Sequence, residues 1–241
     1  MRKKLLGAEH PSTLISMANL ACTYSSQGKW NEAEQLEVQV LHMRKKLLGE
    51  EHPDTLISMA NLASTYSSQG KWNKAEQLEV QVLNMRKKVL GVEHRDTLLS
   101  MGNLVCTYLS QGHLKEAEEL EVQVLEMRKK LLGAEHPDTL ISMANLASVY
   151  LHQEKWNEAE QLGVQVLDIS KKQFGLEHPD TLRIMANLAG TYSSQGKWNE
   201  AEQLEVQVLD MGKRVLGAGH TDTLKSMTKF GKHILKSGKV E

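Results

Sequence analysis

Six histidines, His10, His52, His94, His136, His178 and His220, recur at intervals of 42 residues. Histidine is the commonest metal ligand, but ligands must meet within about 2 Å of one ion. One ring per repeat spreads the histidines along the chain, so no metal and no other cofactor is expected. Cys22 and Cys106 stand at one position two periods apart. A disulfide needs Cα atoms within about 7 Å, which two intervening segments forbid. Ser64, Ser148 and Gly190 fill the same position elsewhere, so small size is what it requires. Glu32, Glu34 and Glu37 begin a pattern of acids that returns in each period. They read as a solvated helix surface that balances the helix dipole. No single place gathers a nucleophile, a base and an orienting group, and no G-x-x-x-x-G-K-[ST] loop is present. The sequence predicts a protein that is not an enzyme.

The 241 residues carry 29 Lys and Arg against 30 Asp and Glu, a formal charge of −1. That balance argues against nucleic acid as a partner. No apolar run approaches the ~18 residues that span a bilayer, and MRKKLLG is too short in apolar residues for a signal peptide. Two cysteines make no disulfide framework. The expectation is a soluble, reduced, cytoplasmic chain with no membrane partner.

The elements that carry these residues follow from the period. Residues 10–51 and 52–93 match at 36 of 42 positions. Units continue at 94–135, 136–177 and 178–219, with a partial unit at 220–241. Residues 1–9, MRKKLLGAE, match the end of a unit, MRKKLLGEE at 43–51. The whole chain, 1–241, is therefore expected to be one repeat array. In the second unit His52-Pro53-Asp54 starts a helix A, since proline suits the first helical position and an early acid suits the dipole. Leu56, Met59, Leu62, Ala63 and Tyr66 give it one apolar face. Gln69-Gly70-Lys71 supplies a turn. Asn73 is expected to cap helix B, and Asn31 with Glu34 reads as a capping box in the first unit. Ala75, Leu78, Val82, Met85, Val89 and Leu90 form the second stripe. Arg86-Lys87-Lys88 sits in the last turns and Gly91 ends the helix. Helix B spans about 18 residues, roughly 27 Å. Neither helix can bury its stripe alone, so the units must stack as an all-α solenoid. Gly163 replaces the glutamate of 37, 79, 121 and 205, and Gly212 replaces Arg44 and Arg86. Each mid-helix glycine is expected to cost about 0.5–1 kcal/mol relative to alanine.

The run Met59-Ala60-Asn61-Leu62-Ala63, followed by Tyr66, Gln69-Gly70, Ala75 and Leu78, resembles the tetratricopeptide repeat (TPR). The 42-residue period, the HPDTL start and the QGKW-x-x-AE turn are similar to the kinesin-light-chain subtype. Such arrays are also like those of fungal nucleotide-binding receptor-like proteins. The resemblance implies a right-handed superhelix of about five helix pairs with a C-terminal capping helix. It further implies that helices A line a concave groove for a peptide or partner protein. Groove positions are then Asn19, Asn61, Asn103, Asn145 and Asn187. A carboxamide both donates and accepts, so a ladder of them can pair with a peptide backbone. The competing reading is that each asparagine bonds its own helix or the next. Neighbouring positions (Ala18, Ala60, Ser64, Ala144, Ser148) are small and offer little surface for stacking bases.

Residues 211–241 hold seven Lys and Arg against Asp222 and Glu241. Arg183, Lys225, Lys229 and Lys232 form a candidate basic patch that loosely resembles the carboxylate clamp of chaperone-linked TPR proteins. The alternative is a solubilising end cap. The function implied is a non-catalytic interaction scaffold. Its alternatives are a structural spacer, an array that self-associates end to end through Leu5–Leu6 and Leu14–Met17, the sensor fragment of a larger receptor, or a cargo adaptor.

Overall fold

The computed structural model describes residues 7, 9–215, 217 and 228. Its ten helices alternate between the two types. Helices A are α1 (Pro11–Ser26), α3 (Pro53–Ser68), α5 (Arg95–Gln111), α7 (Pro137–His152) and α9 (Pro179–Ser194). Helices B are α2 (Trp30–Leu48), α4 (Trp72–Leu90), α6 (Leu114–Leu132), α8 (Trp156–Phe174) and α10 (Trp198–Val215). No strand occurs among the described residues. The chain divides into two compact units, Met1–Leu120 and Glu121–Glu241, and each is described by itself. Lys225, Lys229, Lys232, Leu5, Leu6 and the expected capping helix lie outside the described residues.

The recurring histidine is the N-cap of every helix A. Its Nδ1 accepts from the backbone N–H two residues on: Ser12 at 3.2 Å, Asp54, Asp96 and Asp138 at 3.1 Å, and Asp180 at 3.2 Å. An imidazole nitrogen thus does the work more often given to a serine or aspartate oxygen. In four of the five helices proline follows at the first helical position. The A–B turn needs a left-handed residue, and Gly70 supplies it with φ 72°. In the fourth repeat Glu154 takes that place with φ 61°, a conformation that disfavours a side chain.

Helix B begins two residues earlier than the capping-box reading requires. α2 starts at Trp30, Lys29 is at the N-cap, and no side chain caps the helix. α4 repeats this with Lys71. Asn31 and Asn73 are therefore inside the helix, where an N-cap bond is geometrically closed to them. Their carboxamides serve the neighbouring repeat instead.

Each repeat completes its core with its neighbour. In the first unit Leu41 of α2 packs with Leu56, Met59 and Leu62 of α3 and Val82 of α4. In the second, Leu125 of α6 joins Met143 and Leu146 of α7, Val166 of α8, Met185 and Leu188 of α9, and Val208 of α10. Met59, Met101, Met143 and Met185 are sealed from solvent. Each such side chain contributes about 1.5–3 kcal/mol of burial. Ala33, Ala75, Ala117, Ala159 and Ala201 are fully buried as well, which lets backbones approach closely.

An arginine that is buried or partly buried ties three of the helices B, α2, α4 and α6, to the next helix A. Arg86 Nη1 donates to the Asp96 carbonyl at 2.9 Å and to Ser100 Oγ at 2.7 Å. Arg44 does the same to Asp54 and Ser58, and Arg128 to Asp138 and Ser142. Arg44 and Arg86 are only 7% exposed, and burial draws the Arg86 guanidinium below its usual range. The last turn of helix B was expected to hold surface cations. Its lysines fit that, but its arginine is a core residue.

At the junction of the fourth and fifth repeats both partners change together. Ser170 stands for the arginine and Ile184 for the serine, and both are buried. The polar tie is lost from both sides at once, which costs less than removing one partner alone, although Ser170 Oγ is left buried without a partner. Arg86→Ser should therefore cost about 2 kcal/mol by stranding buried acceptors. Arg86→Ser combined with Ser100→Ile should recover much of that loss. Urea denaturation of the two single variants and the double variant measures the coupling.

Candidate functional site on the A-helix face

At three repeat junctions a clasp of side chains joins the A–B turn to the preceding helix B. Gln69 Nε2, in the second A–B turn, donates to Glu34 Oε2 at 2.9 Å and to Asn31 Oδ1 at 3.1 Å. Lys71 Nζ reaches the same Glu34 oxygen at 2.8 Å. Gln111 repeats the bonds to Glu76 and Asn73. In the second unit Gln195 and Lys197 close on Glu160 at 2.8 and 2.6 Å. The Lys71 ammonium, helped by Gln69, holds the Glu34 carboxyl below the usual carboxylate range. Lys197 does the same for Glu160. The QGKW turn and the first turn of helix B are thus consumed in joining repeats.

The A-helix face carries no comparable set of bonds. Among the described residues, the carboxamides of Asn19, Asn61, Asn103 and Asn187 have no protein hydrogen-bond partner. Asn145 differs: it lies against the Glu121 carboxyl. Asn61 lines an open cleft of about 280 Å³ between α1 and α3, beside Ser25, Ser26 and Ser64. Asn103 lines one of about 370 Å³ between α3 and α5, beside Ser67, Trp72 and Ser110. In the second unit Asn187 lines a cavity of about 210 Å³ between α7 and α9. Four residues before the asparagine, Ile15, Ile57 and Leu99 are 51%, 45% and 50% exposed. Periodicity alone could have found this apolar row, because it shares the asparagine face. The free thiols Cys22 and Cys106 are exposed and border the first two clefts.

Glu37 corrects the reading of helix B as solvated on its acidic side. It is 5% exposed and forms part of the first cleft, as Glu79, at 7%, does in the second. Ala33, Glu37, Val40 and Arg44 are spaced four, three and four apart, which puts the acid on the buried stripe. Burial raises the Glu37 carboxyl above its usual range, and a bond from Thr65 opposes this. Thr107 plays the same part for Glu79. One oxygen of each, Oε2, is buried without a partner. Glu121 is sealed completely. Burial pushes it up to about 7, against Ser142, Arg128 and Asn145. Neither of its oxygens has a well-aligned hydrogen bond.

Among the described residues, no three His, Cys, Asp or Glu side chains converge to hold a metal. No helix is long and apolar enough to cross a membrane. Arg183, the one described member of the basic patch, is exposed and paired with Asp180 at 3.3 Å. Of the apolar residues expected to be bare near the first repeat, Leu14 is buried and Met17 is partly so.

Tetratricopeptide-repeat models match residues 13–54, 55–96 and 97–138 in succession, and 122–172 and 138–214 beyond them. The chain belongs to the tetratricopeptide repeat family. The nearly identical TPR-like repeats assigned to a kinesin light chain of Podosopora anserina superpose with a TM-score of 0.72 at 36% identity, over 86% of this chain and 98% of that one. NprR of B. thuringiensis, solved with its cognate peptide NprX, matches at a TM-score of 0.70 and 16% identity, over 96% of this chain and 65% of that one. A Rap protein complexed with competence and sporulation factor matches at 0.68 and 12% identity, over 98% and 72%. The last two likenesses concern the fold alone. No curated protein matches the chain.

The buried Glu121 gives this TPR array a pH-dependent stability. Its folded-state value near 7 lies above the 4.5 of an ordinary glutamate. The folded state therefore holds the proton more tightly. The contribution is complete below pH 4.5 and disappears as pH rises through about 7, and its size is on the order of 3 kcal/mol. Glu121→Gln, which cannot ionise, should remove this loss. Urea midpoints of both proteins at pH 5 and pH 8 should diverge at the higher pH, with the variant the more stable.

Proposed function

We propose that the chain is a non-catalytic scaffold that binds an extended peptide, or an extended segment of a partner protein, in the groove formed by helices A. The observation that carries this reading is the division of labour between two sets of carboxamides. The glutamines of the A–B turns are spent on neighbouring repeats. The asparagines at 61, 103 and 187 line clefts with their donors and acceptors unspent. Polar groups in a cleft that the protein does not itself satisfy are suited to a ligand's backbone. The exposed Ile15, Ile57 and Leu99 add apolar contact along the same face. The complex of NprR with its cognate peptide and that of Rap with competence and sporulation factor, both on the same fold, are consistent with this use of a TPR array.

A self-assembling array or spacer is the second reading. Pairs at the ends of helices B favour it: Leu47 and Leu48, Val89 and Leu90, and Leu131 and Leu132 are all exposed. Such rows suit association with a second surface. The two readings place the working surface on different elements.

Peptides selected from a random-sequence library on the wild-type chain separate them. The triple variant Asn61→Ala, Asn103→Ala, Asn187→Ala should bind the selected peptides about 10- to 100-fold more weakly in fluorescence anisotropy. Its thermal midpoint should stay within a few degrees of wild type. Equal affinity in both proteins would remove the asparagines from the site. A matching loss of folding would make them structural.

A further inference from the structure

We infer that the cavity between α7, α8 and α9 is a subsite for one apolar side chain, of leucine to phenylalanine size, on an extended peptide. The inference rests on the groove-binding reading and adds a sequence requirement to it. The junction of the fourth and fifth repeats departs from the first two junctions at the positions that face this space. Gly163 stands where Glu37 and Glu79 reach into the first two clefts. Gly190 takes the place of Ser64 and Cys106, Ile184 that of Ser58 and Ser100, and Leu151, like Leu109 in the third repeat, that of Ser25 and Ser67. All four line the same cavity. The first two clefts have a carboxyl and several hydroxyls; here, apart from Ser148, Thr191 and Asn187, the walls are aliphatic.

Charge and size narrow the occupant. No ionisable residue lines the cavity. A lysine, arginine or carboxylate placed there would lose its hydration with nothing in return. The volume is about 210 Å³, whereas an apolar cavity of about 150 Å³ already takes benzene. A Cβ on Gly163 would approach Leu188 Cδ1 to 3.0 Å, so the missing side chain is what keeps this space open. Asn187 borders the same cavity with an unspent carboxamide. It can hold the peptide backbone while the adjacent side chain enters. The glycine that looked only like a weak point in helix B thus creates the room.

The test uses the full chain, labelled with ¹⁵N, and two blocked amino acids as probes. N-acetyl-leucine N-methylamide should shift the Gly163 and Gly190 amides saturably. N-acetyl-lysine N-methylamide should not. Gly163→Glu and Leu151→Ser install residues that the chain already uses in its other repeats, so both should fold, as their thermal midpoints will show. Each should weaken the leucine probe at least about 10-fold. The inference is overturned if the leucine probe gives no saturable shift, if lysine binds equally, or if Gly163→Glu leaves leucine binding unchanged. Library-selected peptides run in parallel separate the two claims. Peptides that bind wild type and Gly163→Glu alike sink the subsite and leave the groove standing. A seated leucine probe with no peptide bound by the chain sinks the groove and leaves the cavity as an apolar site.

Discussion

A helix pair in this chain has no interior of its own. Its apolar stripes also face the adjoining pairs, so the clusters that bury Met59 and Met185 are completed by the preceding pair's helix B. Every other feature answers to that dependence. The buried arginine crosses to the next helix A and bonds a backbone carbonyl and a serine there. The Gln–Glu clasp crosses at the A–B turn. Both are directional, and they supply the register that non-directional burial lacks. Because these ties use helices B and the turns, the outer positions of helices A are left out of them.

That partition lets the units diverge on one face without harm to the other. At the junction of the fourth and fifth repeats the polar tie itself is exchanged, with Ser170 and Ile184 replacing the arginine and serine. Gly163 removes the acid one heptad before Ser170, on the same side of α8. Removing both members of a buried polar pair is far less costly than removing one. The linked replacements read as one depolarised junction rather than scattered damage. They also revise the meaning of the mid-helix glycine, whose propensity cost in α8 stands beside a newly opened cavity.

Much of the fold was legible. The period, the helix pairs, the apolar stripes and the alanines of close approach all follow from spacing. What escaped was competition between partners. Asn31 and Glu34 have capping-box spacing, but Gln69 and Lys71 from the next repeat claim them, and local sequence shows no such rival. Glu37 looked solvated because acids usually are, although its spacing from Ala33 and Val40 already placed it on the buried stripe. Arg86 stands beside Lys87 and Lys88 in the last turns of helix B, yet only the lysines stay outside the core. The histidine's spacing sets it apart from a metal cluster, but its capping role depends on a ring orientation that sequence does not specify. Of the asparagine ladder, Asn145 is the member drawn back into the protein, by the sealed Glu121 beside it.

The central claim is that turn glutamines hold the repeats together while helix A asparagines are kept for a ligand. The side-chain amide region of a ¹⁵N–¹H spectrum reports both sets in one experiment. On titration with a library-selected peptide, the carboxamide signals of Asn61, Asn103 and Asn187 should shift and gain protection from exchange. Those of Gln69, Gln111 and Gln195 should stay where they are. Shifts confined to the glutamines, or a saturated complex with all three asparagine signals unmoved, would contradict the account.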